Sequence, residues 1–313
     1  MSAHSIWIVE YGYVDRFPAS NLFAAQPNEG FRRMPYCFGV IRTADECVLV
    51  DAGFWDPGIH DRLTVKYGET RWKPPAEVLG RTGMQPDDIG ALLLTHNHFD
   101  HAGCAGQFAG AHVYIQREEI DRYRAALRLP SRFEFLTRNC EPELLDVLDA
   151  RDRAGRLTLA GGQHAVTDHI RLLPAFDTHT AGSQFVLVED EASGPWLFAG
   201  DNVYAYENIE GLRGDGVYAP IAMATGSPST WLAVTDDVLR SVGGATGRVL
   251  PFHDSAVWQR FPSREYGDGL HVAEIALAPG HASVLAHDSA AAPSSASTRS
   301  ATRTDSSAAG APQ

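Results

Sequence analysis

One hexapeptide constrains this sequence more than any other feature. The nearly apolar run ALLLT at 91–95 ends directly in HNHFDH at 96–101. The apolar run is typical of a buried strand, so the hexapeptide is predicted to form a polar loop at the carboxyl end of that strand. Neutral imidazoles and carboxylates are the ligands that Zn²⁺ takes when thiolates are absent. The loop therefore offers four candidate metal ligands: His96, His98, Asp100 and His101.

Short apolar runs, separated by turn and helix signals, fill the rest of residues 1–285. They predict strands at 5–10, 38–42, 46–50, 91–95, 112–116, 157–160, 170–174, 184–189, 196–199 and 248–252. Helices are predicted at 75–82, 118–127 and 229–241, the last with Ser229 as its N-cap. These elements alternate in two successive halves. That order predicts a mixed α/β (α+β) chain folded as a four-layer αββα sandwich, with two facing sheets and helices outside.

Four other stretches are too polar for a core. Residues 14–35, 130–140 and 204–226 are predicted to be long loops, which in a compact domain are often functional. Residues 286–313 are mostly Ala and Ser and contain no Leu, Ile, Val or aromatic residue. Such a segment cannot bury enough apolar surface to offset its ordering entropy, so we predict a disordered tail after one folded domain at 1–285.

Charge and cysteine content exclude several classes of protein. The net charge of −13 argues against a nucleic-acid partner, which requires a positive face. No apolar run reaches the roughly 18 residues of a membrane span, and no secretory leader is apparent, so no membrane partner is expected. The four cysteines are scattered without a CxxC pair, which suits a reducing compartment and favours a cytoplasmic protein.

The pattern H-x-H-x-D-H after an apolar strand resembles the signature of the metallo-β-lactamase superfamily, whose fold is the αββα sandwich. The other positions of that family's pattern are also filled, by Asp51 in VLVDAGF, His179 in PAFDTHTAGS, Asp201 in WLFAGD and His253 in VLPFHD. The likeness covers residues 5–255. Residues 1–285 are therefore expected to form a metallo-β-lactamase-like hydrolase domain.

The resemblance implies a centre for two divalent ions, with Zn²⁺ expected, although such a ligand set also accepts Mn, Fe or Co. One ion would be held by His96, His98 and His179, the other by Asp100, His101 and His253, with Asp201 bridging. Two carboxylates carry −2 against +4 from the ions, which favours a bridging hydroxide as nucleophile. Asp51 is interpreted as a carboxylate that orients a ligand and its loop. Cys104 and the remaining histidines are interpreted as structural.

Departures from several branches of the superfamily narrow the function. His98 stands where the diiron flavoproteins have a carboxylate, and the zinc β-lactamases lack the bridging carboxylate that Asp201 supplies. Residues 254–285 are too few for the glutathione-binding extension of glyoxalase II. The acidic charge disfavours the tRNA-processing branch.

Asp201 is the first residue of a D-x-x-Y run that ends at Tyr204 and resembles the N-acyl-homoserine lactonases. In that branch the tyrosine contacts the lactone at the metals, so the phenol of Tyr204 is expected to donate a hydrogen bond to the developing oxyanion or to the ring oxygen. Asp100 would then carry a proton to the leaving alkoxide. The expected reaction is cyclic ester hydrolysis by the bridging hydroxide. Four aromatic residues could shape the pocket: Phe17, Phe23, Phe31 and Tyr36.

Two alternatives stay open. The same nucleophile could attack a cyclic amide or imide, or a thioester, instead of a lactone. A metal-binding regulatory member of the fold is the non-enzymatic alternative, which the complete ligand set disfavours. The expected partner is a small-molecule substrate, and the oligomeric state stays open, a homodimer included.

Overall fold

The computed structural model describes residues 4–68 and 70–286 of the 313-residue chain, so the predicted tail after Ala286 lies outside the described residues. The strands are β1 (Ser5–Pro18), β2 (Phe31–Arg42), β3 (Cys47–Val50), β4 (Thr70–Trp72), β5 (Ile89–Leu93), β6 (His112–Gln116), β7 (Leu157–Ala160), β8 (His164–Ala165), β9 (Ile170–Phe176), β10 (Gly182–Val188), β11 (Trp196–Gly200), β12 (Val249–Pro251), β13 (Ser263–Glu265) and β14 (His271–Ala276). The α-helices are α1 (Pro57–Tyr67), α2 (Pro75–Leu79), α3 (Phe99–Ala102), α4 (Arg117–Ala126), α5 (Leu144–Arg153), α6 (Glu207–Glu210), α7 (Pro228–Leu239) and α8 (Val257–Arg260).

These strands form two sheets. The larger has the order β13-β14-β1-β2-β3-β5-β6-β7, with β4 paired to β1, and the smaller has the order β12-β11-β10-β9-β8. The neighbours β3, β5, β6 and β7 run parallel, as do β11 and β12, whereas the remaining pairs are antiparallel. Parallel neighbours carry their carboxyl ends at the same edge of a sheet, and the loops with the predicted ligands begin there.

Three buried hydrophobic clusters show that the fold has four layers. The middle cluster joins Ile8 and Leu93 of the larger sheet to Val186 and Phe198 of the smaller one, so the two sheets face each other. A second cluster packs the outer face of the larger sheet against α2, α4 and α5. The third packs the outer face of the smaller sheet against α7. The predicted αββα sandwich is confirmed.

The stretch at 14–35 corrects one prediction. It was predicted to be an irregular loop, but β1 continues through it to Pro18 and β2 begins at Phe31, paired with each other up to those residues. Val14 and Phe17 are buried while the polar residues between them face solvent. The pairing register shifts between Val14 and Phe17, so the strand lacks strict alternation of buried and exposed residues there, and its polar residues made the segment look like a loop.

Local signals explain two further differences. The N-cap of α7 is Ser227, whose side chain accepts a hydrogen bond from the backbone of Thr230, and not the predicted Ser229. Pro228 occupies the first helical position, where its fixed φ suits the helix, so the cap must precede it. The sequence analysis also missed α1, α5 and β14. Among the described residues, no helix is long and apolar enough to cross a membrane.

Candidate metal centre

The predicted ligands come from four loops that follow strands of both sheets, and Asp51 comes from a fifth. Residues 96–101 follow β5, and Asp51 follows the neighbouring β3. His179 lies in the turn between β9 and β10 of the smaller sheet. Asp201 and His253 follow its parallel neighbours β11 and β12. Because both sheets end at the same side of the sandwich, these loops meet there.

The first donor group consists of four buried side chains whose donor atoms lie within 4.8 Å of one another: His96, His98, His179 and Asp201. Nδ1 of His98 lies 3.0 Å from Nε2 of His179. Oδ2 of Asp201 lies 3.2 Å from that His179 nitrogen and 3.7 Å from Nε2 of His96. Three imidazoles and one carboxylate oxygen therefore converge on one small volume.

The second donor group consists of Asp100, His101 and His253, which are also buried and also lie within 4.8 Å of one another. The Nε2 atoms of His101 and His253 are 3.4 Å apart. Oδ2 of Asp100 lies 3.6 Å from the first of these nitrogens and 3.7 Å from the second. Two imidazoles and a carboxylate thus form a second cluster.

Asp201 lies between the two donor groups. Its Oδ2 faces the first group, whereas its Oδ1 lies 2.9 Å from Nε2 of both His101 and His253. Gly200, which precedes it, has a positive φ of 52°, and a Cβ there would lie 2.5 Å from the hydroxyl oxygen of Thr95. Only glycine allows the end of β11 to approach the β5 loop this closely, and that approach places Asp201 between the two groups.

The protonation states of His96, His98 and Asp201 in the first donor group fit a divalent ion. Nε2 of His96 is buried and has no hydrogen-bond partner in the part of the chain that the structure describes. Burial and neighbouring imidazoles lower the pKa of His96 and His98 well below the usual histidine value, so both rings are neutral. Burial alone would raise the pKa of Asp201, but the surrounding imidazoles, His101 foremost, hold it well below the usual range. Neutral imidazole and ionised carboxylate are the forms that bind Zn²⁺.

Asp51 lies behind the second donor group, in contact with His101. Its Oδ2 lies 2.7 Å from Nδ1 of His101, the ring nitrogen that faces away from the group. The carboxylate also accepts hydrogen bonds from the backbone and hydroxyl of Thr95. Asp51 has a φ of 61°, in the left-handed region that few non-glycine residues adopt. These contacts hold the His101 ring and the start of the ligand loop in one orientation.

Tyr204 also belongs to this centre. Its phenol oxygen lies 3.3 Å from Nδ1 of His179, and its ring packs against His179 and His253. Burial, and then the nearby carboxylates, raise the pKa of the phenol well above its usual value, so Tyr204 keeps its proton. The side chain of Asn208 accepts hydrogen bonds from the backbone of Tyr204 and Ala205, which fixes this loop.

A cavity of about 850 Å³ opens over the donor atoms. One wall comes from α1, which presents Ile59, Leu63 and Tyr67 at four-residue intervals. The sequence analysis missed this helix, although Asp56 followed by Pro57 is a typical helix start and the apolar spacing is helical. Across the cavity, the loop at 138–143 forms part of the rim.

The aromatic residues that were predicted to shape the pocket do not all reach it, and Cys104 and the remaining histidines lie outside both donor groups. Of the four aromatic residues expected at the pocket, Phe17 and Tyr36 line the cavity, whereas Phe23 is buried away from it and Phe31 is exposed. Phe31 is the first residue of β2, and its side chain is exposed. Cys104 is buried and belongs to neither donor group, as predicted. The other histidines of the described ranges, His4 through His281, are also outside both groups.

Comparison with known proteins identifies the relatives of this chain. A sequence profile described as the metallo-beta-lactamase superfamily matches residues 38–253. An N-acyl homoserine lactonase of Bacillus cereus is 30% identical over 184 residues, which make up 56% of this chain and 66% of the relative, just under two thirds of its length. A probable metallo-hydrolase of Mycobacterium bovis is 31% identical over 104 residues, 31% of this chain and 33% of that protein.

Solved structures with the same fold include two described as lactone-cleaving enzymes. An N-acyl homoserine lactone hydrolase, with the product N-hexanoyl-L-homoserine bound at its catalytic metal centre, superimposes with a TM-score of 0.63 at 23% identity over 83% of this chain and 96% of that one. A dizinc quorum-quenching lactonase superimposes with a TM-score of 0.60 at 15% identity over 88% of this chain and 95% of that one. At these identities the likeness establishes the fold.

Proposed function

Because the chain belongs to the metallo-beta-lactamase superfamily, we propose that it is a metal-dependent hydrolase that opens a lactone ring. The observation that carries the proposal is the position of Asp201, whose two carboxylate oxygens face separate groups of buried histidines. Tyr204, three residues later, lies at the same centre. The curated relatives with N-acyl homoserine lactonase activity make N-acyl homoserine lactones the first substrate class to test.

The two donor groups would each hold one divalent ion, with Zn²⁺ the preferred metal for imidazole and carboxylate donors. Such ions, when bound, supply Lewis acidity and make hydroxide available from water at neutral pH. Asp201 would be shared between them, since it offers one oxygen to each group.

In this reaction Tyr204 acts as a hydrogen-bond donor. With a proton on Nδ1 of His179, that nitrogen donates to the phenol oxygen, so the phenol's own proton can turn from the Asp201 carboxylate to a substrate. The raised pKa keeps this proton in place at neutral pH. The lactone carbonyl oxygen gains negative charge during attack, and a donor at that point stabilises it more than the neutral substrate.

In the proposed reaction Asp100 would move a proton. Its carboxylate is buried at the cavity beside His101 and His253, and burial raises its pKa above the usual aspartate value. A raised pKa makes the carboxyl group a better acid near neutral pH. The carboxylate oxygen of Asp100 that faces away from His101 and His253 would take the proton released by the nucleophile and pass it to the ring oxygen as the ester bond breaks.

The cavity walls suit a lactone that carries an apolar substituent. Ile59, Leu63 and Tyr67 form one apolar face, and Phe99 extends it to the donor atoms. Contact with these side chains would remove an acyl chain from water, at about 0.8 kcal/mol for each methylene buried. The metal donors and Tyr204 lie at the inner end of the same cavity.

The deciding experiment compares three substrates of equal acyl length on one metal-loaded preparation: an N-acyl homoserine lactone, a cyclic imide and an acyl thioester. The lactone should give the highest kcat/KM, by at least about tenfold. A thioester or imide that reacts faster would replace the lactone with that alternative, because the same centre can attack any activated acyl carbon. No hydrolysis of any of the three by metal-loaded protein would contradict the proposal.

A further inference from the structure

Glu119 is a buried carboxylate beside the metal centre that belongs to neither donor group. It lies in the first turn of α4, with its side chain directed inward and 2% of the residue exposed. No ion pair with a lysine, arginine or histidine is found for it among residues 4–68 and 70–286. A carboxylate in such a place needs hydrogen-bond donors, and the structure supplies three of them.

These donors belong to two segments that are distant in sequence. Oε1 of Glu119 accepts a hydrogen bond of 3.1 Å from the backbone nitrogen of Asn97. Oε2 accepts one of 2.7 Å from the backbone nitrogen of Gly182 and one of 2.8 Å from the hydroxyl of Thr180. Asn97 lies between the predicted ligands His96 and His98, and Thr180 directly follows His179. One carboxylate therefore ties together the two loops that carry the histidines of the first donor group.

The backbone at the start of β10 packs closely against the backbone at the start of α4. A Cβ on Gly182 would lie 2.1 Å from the backbone nitrogen of Glu119, so only glycine lets β10 begin against the start of α4. The second donor group is held by different contacts. His101 is oriented by Asp51, and Nδ1 of His253 lies 2.8 Å from the carbonyl oxygen of Pro35.

From this geometry we infer that Glu119 is a positioning residue for the first metal site: its carboxylate sets the distance between the His96–His98 segment and His179. The inference rests on the metal centre proposed above. Three hydrogen bonds from two loops converge on this one buried group, so the loss of any of them leaves a buried donor without its partner. In Glu119→Gln, the amide nitrogen would face a backbone N–H, donor against donor, so at least one of the contacts breaks.

The test measures metal binding without substrate. Metal-free protein is titrated with Zn²⁺ alone against a chromophoric chelator, in two backgrounds. His253→Ala leaves the first donor group complete, and His98→Ala leaves the second complete. Glu119→Gln should weaken Zn²⁺ binding about 10-fold to 100-fold in the first background, the range for residues that orient ligands, and leave it unchanged in the second.

Glu10→Gln is the matched control, because Glu10 is equally buried but contacts Arg33 and His271, which belong to neither donor group. It should retain wild-type Zn²⁺ affinity even if its melting temperature falls. Should Glu119→Gln fail to fold, Thr180→Val removes only one of the three donors and should give a smaller loss confined to the first site.

Wild-type affinity in folded Glu119→Gln, or an equal loss in both backgrounds, would overturn the inference and leave the proposed function intact. A wild-type chain that binds no Zn²⁺ would overturn the proposed centre, and the inference with it. Neither result depends on the choice of lactone, so the two failures are distinguishable.

Discussion

Oδ2 of Asp51 lies 2.7 Å from Nδ1 of His101, and the same carboxylate accepts two hydrogen bonds from Thr95. Asp51 follows β3 and Thr95 follows the parallel β5, so the contact joins the ends of adjacent strands. Because Asp51 contacts the opposite side of the ring, it fixes the direction in which Nε2 of His101 faces the donor group. Contacts of this kind set both the orientation and the basicity of a metal-bound imidazole.

Replacing Asp51 with Asn should therefore weaken metal binding at the second donor group by about 10-fold to 100-fold. The amide keeps the size of the side chain but loses the charge that favours a proton on Nδ1 of His101. Zn²⁺ competition titration in the His98→Ala background measures this site alone. Asp190→Asn is the control, since Asp190 is also buried and accepts backbone hydrogen bonds from His4 and Ala192, which belong to neither donor group. Unchanged affinity in Asp51→Asn would contradict the orienting role.

Removal of one ligand should empty one site. His98→Ala is expected to lower bound metal from about two ions per chain to about one and to abolish lactone hydrolysis, because the chemistry requires both. Elemental analysis of the purified variant and an initial-rate assay measure the two effects. His112→Ala is the comparison, since His112 contacts Thr158 and lies outside both donor groups. Two ions and wild-type turnover in His98→Ala would show that the ligand assignment is wrong.

Tyr204→Phe tests the phenol alone, because the ring stays in place and no metal ligand changes. Loss of one oxyanion donor costs roughly 10²–10³ in turnover at the strong end. Since metal ions would bear most of the charge here, we expect kcat to fall about 10-fold to 100-fold with metal content unchanged. Steady-state kinetics on the best lactone, with metal analysis of the same sample, provide the measurement.

Tyr206→Phe is the matched control for that variant. Tyr206 is a buried tyrosine two residues later whose hydroxyl donates to the carbonyl of Val249, away from the donor atoms. It should lose about 1 kcal/mol of stability and keep its turnover. Equal rates for Tyr204→Phe and the wild type would assign Tyr204 to packing, and the D-x-x-Y argument for a lactonase would fail.

Metal removal should destabilise the fold. The donors are assembled only in the folded chain, so ions that bind it contribute about 2.7 kcal/mol each when free metal is a hundredfold above Kd. For a chain of this size we expect the melting temperature to drop by several degrees after chelation. Readdition of Zn²⁺ should restore it. An unchanged melting temperature after verified loss of metal would contradict a centre that is formed by folding.

The sequence predicted the members of the two donor groups better than it predicted the cavity around them. Four candidate ligands lie within six residues, and the others end strands, so local pattern and family resemblance were enough to find them. The wall formed by α1 was missed because its polar residues outnumber Ile59, Leu63 and Tyr67, although Asp56 and Pro57 mark its start. Pocket shape depends on how such segments pack against the sheets, and periodicity does not encode that.

Glu119 shows a different reason for a miss. In the sequence it stands in the acidic first turn of a predicted helix, where a carboxylate favours the positive end of the helix dipole. A role at the end of the helix dipole requires no partner from another part of the chain. The side chain is buried, because Asn97 and Gly182 reach the helix start from 22 and 63 residues away and donate to it. Only the folded chain reveals contacts over such separations.

The facing Nε2 atoms of His101 and His253 are separated by 152 residues of sequence. Contacts between such distant positions form late in folding, because a long loop must close before they gain any stability. A nascent chain that has emerged only as far as β7 has the HNHFDH loop but lacks His179, Asp201 and His253. Full metal occupancy would therefore require that both halves of the sandwich have folded. The rate of metal uptake during refolding would then measure how fast one sheet packs against the other.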